Sequence, residues 1–141
     1  MQEWRLALAK AITVVLAAGA AFGLATAAQA ENWYAYYMVP AGVAYVDKDS
    51  IIYRPGHVSA KIQSTFPEPQ HLLKSGQVIT YIRTIDTLDI DCKAKVYRFL
   101  GRDLFDETGT AQTSVNQSDD PIRIQDKTPQ GVLAKAYCPK N

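Results

Sequence analysis

The stretch "TLDIDCKAKVYRFL", residues 87–100, decides the fold because apolar and charged residues alternate along it. The apolar series is Leu88, Ile90, Cys92, Ala94 and Val96, and the charged series is Asp89, Asp91, Lys93 and Lys95. A period of two predicts a β-strand with one buried and one wet face. The cysteine then points to the side opposite the two carboxylates. A hairpin turn at residues 93–95, with Cys92 ending the first strand, fits the same letters.

The two aspartates of this stretch raise the alternative of a metal site. Asp89 and Asp91 offer two hard oxygen ligands, whereas Ca²⁺ takes about six to eight. Cys92 lies on the other face of the predicted strand, so it cannot join them at one ion. Lys93 and Lys95 offset the acidic charge. We therefore expect a solvated strand face and no bound metal or cofactor.

Further strands are predicted on both sides of this stretch. "HVSAKIQSTF", residues 57–66, alternates Val58, Ala60, Ile62 and Phe66 with polar residues. The aromatic "WYAYYMV", the segment "VAYVDKDSIIYRPG" and "QVITYIRTIDTLDID" are also typical of strands and turns. "FPEPQHLLKSG" contains Pro67 and Pro69 and is expected to be a loop that breaks the sheet.

The end of the chain predicts one helix. Thr128 is a good N-cap, and Pro129 suits the first helical position, where a missing N–H has no consequence. Apolar residues follow at helical spacing up to Tyr137, although Gly131 weakens the helix. Strands followed by one helix predict an α+β fold, namely a small antiparallel sheet with a C-terminal helix packed on it.

Cys92 and Cys138 are the only cysteines. An even count in an exported chain of this size predicts an intramolecular disulfide. Two free thiols or an intermolecular bridge are the alternatives. A redox role would require closely spaced cysteines, as in C-x-x-C, and that spacing is absent.

Residues 1–30 predict a secretory signal peptide. A basic start leads into the uncharged apolar stretch 11–27 and an A-x-A site, which predicts cleavage between Ala30 and Glu31. The alternative is an uncleaved membrane anchor, although this stretch is at the lower limit of length for a membrane span. No cysteine precedes Cys92, so no lipid anchor is expected. The predicted location is periplasmic or secreted, with the cell surface as a further option.

The predicted mature chain, residues 31–141, suits one domain with one core. The signal segment carries Arg5, Lys10 and Glu3, so 13 of the 15 basic and 13 of the 14 acidic residues remain. A neutral chain without a basic run argues against nucleic acid binding, which needs a concentrated positive surface.

Enzymatic motifs are missing from the sequence. His57 and His71 are the only histidines, and no G-x-S-x-G elbow is present. Zinc would need more ligands at ordered spacing. Each histidine is expected to be a turn or surface residue, and the chain is not expected to be an enzyme.

The aromatic group near the predicted cleavage site is the candidate binding surface. On a regular strand, Trp33 and Tyr37 share one face, while Tyr34 and Tyr36 share the other. One face belongs to the core, and the other is free to contact a protein partner, since Tyr is common at interfaces. The alternative is that both faces are covered.

Several short blocks together resemble a known family. These blocks are "VAYVDKDSI", "LDIDCKAKVYRFL", "FDETGT" and "TPQGVLAKAYC". In this order they resemble the surface-adhesin protein E family of exported bacterial proteins, over most of residues 33–138. The resemblance implies a small antiparallel sheet with a helix, a disulfide between Cys92 and Cys138, and binding to host matrix proteins. The family's members carry a lipid on an N-terminal cysteine, which this sequence lacks.

Two functions follow as hypotheses. The first is an exported, non-enzymatic, adhesin-like domain that contacts a host matrix or envelope protein through an edge strand or exposed aromatics. An open edge would also allow a homodimer. The alternative is a periplasmic envelope assembly or stress factor without host contact.

Overall fold

The computed structural model describes residues 31–115 and 120–140, with residues 113–115 described by their backbone alone. Strands and one helix follow in the order β1 (Trp33–Val39), β2 (Gly42–Asp47), β3 (Ile52–Arg54), β4 (His57–Lys74), β5 (Gln77–Asp91), β6 (Val96–Phe105), β7 (Ala111–Val115), β8 (Ile122–Arg123) and α1 (Pro129–Tyr137). The predicted signal peptide, residues 1–30, lies outside the described residues, so it and its cleavage site stay predictions. No helix in the described part is long and apolar enough to cross a membrane.

All of these strands join one antiparallel sheet in the order β1-β2-β4-β5-β6-β7. The short strands β3 and β8 pair with the ends of β4 and β6. The antiparallel sheet and the single C-terminal helix agree with the prediction. The expected small sheet was wrong, because this sheet has eight strands.

One face of the sheet forms the core with α1. Val46 of β2, Ile62 of β4 and Leu88 of β5 are buried there and pack with Leu133 of the helix. The alternation predicted for β4 is confirmed, since Val58, Ala60 and Ile62 are all buried. Removing such side chains from water is the main stabilising contribution to a fold of this size.

The helix begins as predicted. The Thr128 hydroxyl accepts a hydrogen bond from the backbone N–H of Gly131 at 3.1 Å. The prediction that Gly131 is a weak point was incomplete, because a Cβ atom at this position would lie 2.0 Å from the carbonyl oxygen of Gln125. Glycine is therefore what allows the helix to approach the preceding segment so closely.

Cys92 and Cys138 form the predicted disulfide, with their Cα atoms 5.7 Å apart. Strand β5 ends at Asp91, and the chain turns over residues 92–95 before β6. The hairpin alternative for this stretch is therefore the one that the structure adopts. The bridge fastens the end of α1 to the turn between β5 and β6.

The loop expected for "FPEPQHLLKSG" was wrong, because β4 continues through Pro67 and Pro69 as far as Lys74. Both prolines lie where the β4–β5 register is interrupted, between Thr65 and Gln70. β2 also stops pairing with β4 at Thr65. Proline removes no ladder hydrogen bond at such a site, so it does not end the strand. Beyond it, residues 70–74 of β4 and 77–81 of β5 form a two-stranded extension that we name the arm.

Candidate functional site

β1 is a terminal strand of the sheet and pairs only with β2 among the described residues. Val39 and Gly42 flank a two-residue turn, so they form a hydrogen-bonded pair and the backbone groups of Met38 point outward. At the other end of β1, the Lys48 N–H donates to the Asn32 carbonyl, so these two residues form a hydrogen-bonded pair. Hydrogen-bonded and non-hydrogen-bonded positions alternate along the strand, so the backbone groups of Trp33 and Ala35 point away from β2. These three residues supply the free hydrogen-bonding groups of the β1 edge.

A bulge at Tyr36 changes the predicted arrangement of the aromatic residues. The β1–β2 register shifts between Ala35 and Tyr37, which places Tyr37 opposite the buried Ala44. The prediction that Trp33 shares a face with Tyr37 was therefore wrong, because one extra residue inverts the alternation. Trp33 instead lies opposite Asp47, on the face away from α1.

Tyr36 and Tyr37 both pack against the core cluster and are partly buried there. The Tyr36 hydroxyl is buried without a hydrogen-bond partner among the described residues, and burial is the main cause that raises its pKa. The Tyr37 hydroxyl donates to the Lys127 carbonyl at 3.0 Å. Two of the four predicted contact residues thus hold β1 onto the domain.

Tyr34 remains on the surface, 53% exposed, with the Lys48 ammonium 3.9 Å from its ring centroid. Burial raises the pKa of the Tyr137 hydroxyl, and the nearby Tyr53 and Tyr34 raise it further. Tyr34 lies opposite the buried Val46 and Tyr53 opposite the buried Val58, so both rings lie on the helix-covered face. Tyr53 is 61% exposed.

We name Trp33, Tyr34, Met38 and Tyr53 the β1 edge surface. Trp33 is half-buried, and its indole N–H donates to the Glu31 carboxylate at 2.8 Å. Met38 is 74% exposed. Sequence reasoning missed Met38 and Tyr53. The signal for Tyr53 was its position in a short strand next to the Pro55-Gly56 turn, where little of the chain can cover it.

The corner at residues 47–50 anchors the start of β1. Asp47 is buried, and its Oδ1 atom accepts hydrogen bonds from the backbone N–H groups of Asn32 and Asp49, each at 3.1 Å. The carboxylate caps a short 3₁₀ turn. This arrangement gives the beginning of the β1 edge a fixed position relative to β2.

Asp89 and Asp91 lie on the face opposite the core, as predicted, but Asp89 is more enclosed than expected. Its side chain is only 14% exposed and lies 2.6 Å from the Arg54 guanidinium and 3.0 Å from His57 Nδ1. His57 is therefore a paired residue rather than an isolated surface one. Asp91 caps the following turn, and hydrogen bonds from the backbone, led by the Ala94 N–H, lower its pKa. No group of three or more metal-ligating side chains is suitably placed for an ion within the described residues.

A second ion pair lies inside the fold. Asp86 is buried on the core face, with Arg102 Nε 2.8 Å from its Oδ1 atom. Burial raises the Asp86 pKa, and hydrogen bonding to Arg102 opposes that rise. The sequence contained a signal for this burial, because Asp86 is two and four residues from the apolar Leu88 and Ile90 and therefore lies on the same face of the strand. The hydrogen bond from Arg102 of β6 to this carboxylate holds β5 against β6, and the Thr84 hydroxyl of β5 donates a second one.

Comparison with known proteins agrees with the resemblance in the sequence. The family model described as surface-adhesin protein E matches residues 34–139. That range includes β2 to β8, the disulfide, α1 and nearly all of β1. No curated protein and no solved structure matches the chain. The chain belongs to the surface-adhesin protein E family.

Proposed function

We propose that this chain is an exported, non-enzymatic, adhesin-like domain that binds a host matrix or envelope protein at its β1 edge surface. Membership of the family indicates binding to proteins in general and an exported or surface location. The observation that carries the proposal is a seven-residue terminal strand with free backbone groups and exposed Tyr34 and Met38 beside them.

Strand addition gives the surface a defined chemistry. A partner strand would form hydrogen bonds with the outward backbone groups of Trp33, Ala35 and Met38. Side chains on the two faces of that added strand would meet Tyr34 on one side and Met38 on the other. Tyrosine and methionine both supply large contact areas, so the backbone gives affinity and these side chains give selectivity.

Two variants test the surface. Ala35→Pro removes an outward N–H, and Tyr34→Ala removes the main exposed ring. We expect each to reduce retention of the mature domain on an immobilised basement-membrane extract or on envelope extract at least fivefold. Leu100→Ala removes an exposed apolar side chain from β6, away from the β1 edge surface and from the arm, and is the matched control. Unchanged retention for both β1 variants, with a folded circular dichroism spectrum, would refute the proposed surface.

Cellular location separates host contact from the envelope-factor alternative. We expect protease added to intact cells to digest the protein if it acts as an adhesin. Protection in intact cells, followed by digestion after osmotic shock, would instead indicate a periplasmic assembly or stress factor. An internal periplasmic protein of known location serves as the control for cell integrity.

A further inference from the structure

We propose a second docking site, at which the arm binds an extended segment of a partner protein as an added antiparallel strand on β5. This site is separate from the β1 edge surface and does not rest on it. Strand β6 pairs with β5 only at residues 83–91. Residues 77–82 of β5 therefore have β4 on one side and no strand on the other within the described part of the chain.

The turn of the arm determines which backbone groups are free. Ser75 and Gly76 have φ angles of 50° and 76°, as expected for a two-residue type I′ turn. The flanking residues Lys74 and Gln77 then form a hydrogen-bonded pair, and the pattern alternates along the arm. It follows that Val78 and Thr80 direct their N–H and C=O groups to the open side of β5.

This open edge borders a cleft of about 760 Å³. The opposite wall is formed by residues 106–108 and Gln112 of the same chain. Asp106 fixes that wall by accepting hydrogen bonds from the N–H groups of Thr108 at 2.9 Å and Thr110 at 3.0 Å. We place a single extended segment between these walls. A folded edge strand would bring its neighbouring strands against the turn, which argues against a second copy of this domain as the occupant.

The edge strand itself lacks the charges and prolines that usually prevent strand addition. The segment "QVITYI", residues 77–82, contains no charge and no proline and is rich in β-branched and aromatic residues. β1, in contrast, is interrupted by its bulge. Val78 is 67% exposed and lies opposite Leu73, which is 71% exposed, so an apolar pair is available beside the free backbone groups.

Charge gives the occupant a direction. Glu107 lies at the base of the cleft, where β6 ends. Glu107 forms no ion pair with any described residue. A strand antiparallel to β5 runs from the base to the tip. We therefore expect a β-branched segment whose N-terminal end carries a basic residue that pairs with Glu107.

Peptide selection tests this site directly. Random eight-residue peptides displayed on phage are selected on the immobilised mature protein, and the most enriched peptide is synthesised with a fluorescent label. We expect it to carry a basic residue near its N-terminal end. Its binding should slow hydrogen exchange at the Val78 and Thr80 amides. Replacing that basic residue by Glu should weaken binding at least threefold.

Matched variants identify the edge. Thr80→Pro removes an outward N–H and should weaken peptide binding at least tenfold, whereas Thr80→Val keeps the N–H and should bind within twofold of the native protein. Val78→Lys, which places a charge on the open edge, serves as the second variant if Thr80→Pro fails to fold. Ala35→Pro should leave peptide binding unchanged, which separates this site from the β1 edge surface.

Three outcomes would overturn the inference. The first is a selection that enriches no peptide on the native protein over Thr80→Pro. The second is exchange protection that falls outside residues 77–82. The third is a native dimer in sedimentation that Thr80→Pro converts to a monomer, because the occupant would then be a second copy of this chain.

Discussion

The same two strands behave differently at their two ends. At the base, β4 and β5 have neighbouring strands on both sides and α1 over one face, and every second residue of β5 from Thr84 to Ile90 is buried. In the arm, the two strands have only each other, and Leu73 and Val78 are exposed. Alternation along a strand thus selects which residues share a face, whereas the surrounding chain decides whether that face becomes a core or a contact surface.

The largest expected effect concerns the disulfide at the base. Replacing both cysteines, by Cys92→Ser with Cys138→Ser, should lower the free energy of unfolding by about 4 kcal/mol, because the bridge closes a loop with a sequence separation of 46 residues. Urea titration measures the change. Reduction of the native protein provides the control for the substitutions. A loss below about 1 kcal/mol would show that α1 is held by packing alone.

The next effect compares one leucine from each region. Leu133→Ala should destabilise the protein by about 3 kcal/mol, because it leaves a cavity in the core under α1. Leu73→Ala in the arm should change stability by less than about 0.5 kcal/mol, since the side chain is already exposed. Thermal or urea unfolding measures both. Equal losses would mean that the arm folds against the rest of the domain.

The smallest effect is the pH dependence of the turn beside the arm. Hydrogen bonds, led by the Thr108 hydroxyl, lower the pKa of Asp106. A lowered pKa in the fold contributes stability above the unfolded pKa, and this contribution is lost as the pH falls through the folded pKa. Asp106→Asn should therefore reduce Tm more at neutral pH than at about pH 2.5. Glu107→Gln, in the same turn, should shift Tm little at either pH, and an equal shift for both variants would contradict the assignment.

Local sequence patterns predicted those features that depend only on residues close to them in the chain. Val58, Ala60 and Ile62 are buried as the alternation requires, and Thr128 caps α1 as predicted. The register of β5 with β6 shifts between Thr87 and Leu88, beside Gly101, and a glycine within a strand is a local sign of such a bulge. In each case the signal lies within a few residues of the feature.

The features that sequence reasoning missed depend on distant parts of the chain. Pro67 and Pro69 would interrupt a strand only where a neighbouring strand needs their N–H groups for hydrogen bonds. The β2–β4 ladder ends at Thr65, so β2 needs no such hydrogen bonds from these prolines. The bulge at Tyr36 reverses the faces of β1 without any glycine or proline to announce it. Exposure at Tyr53 and Val78 likewise depends on where neighbouring strands stop, which no local pattern records.

The strand order has a consequence for the rate and order of folding. Most sheet neighbours are also consecutive in the chain, so successive hairpins can form with little loop closure, and such local pairing favours rapid folding. The bridge from Cys92 to Cys138 is different, because it joins two residues 46 apart. Because so long a loop must close, we expect its thiols to meet after α1 has docked on a formed sheet. We expect oxidation to follow assembly of the sheet and to lock a structure that has already formed.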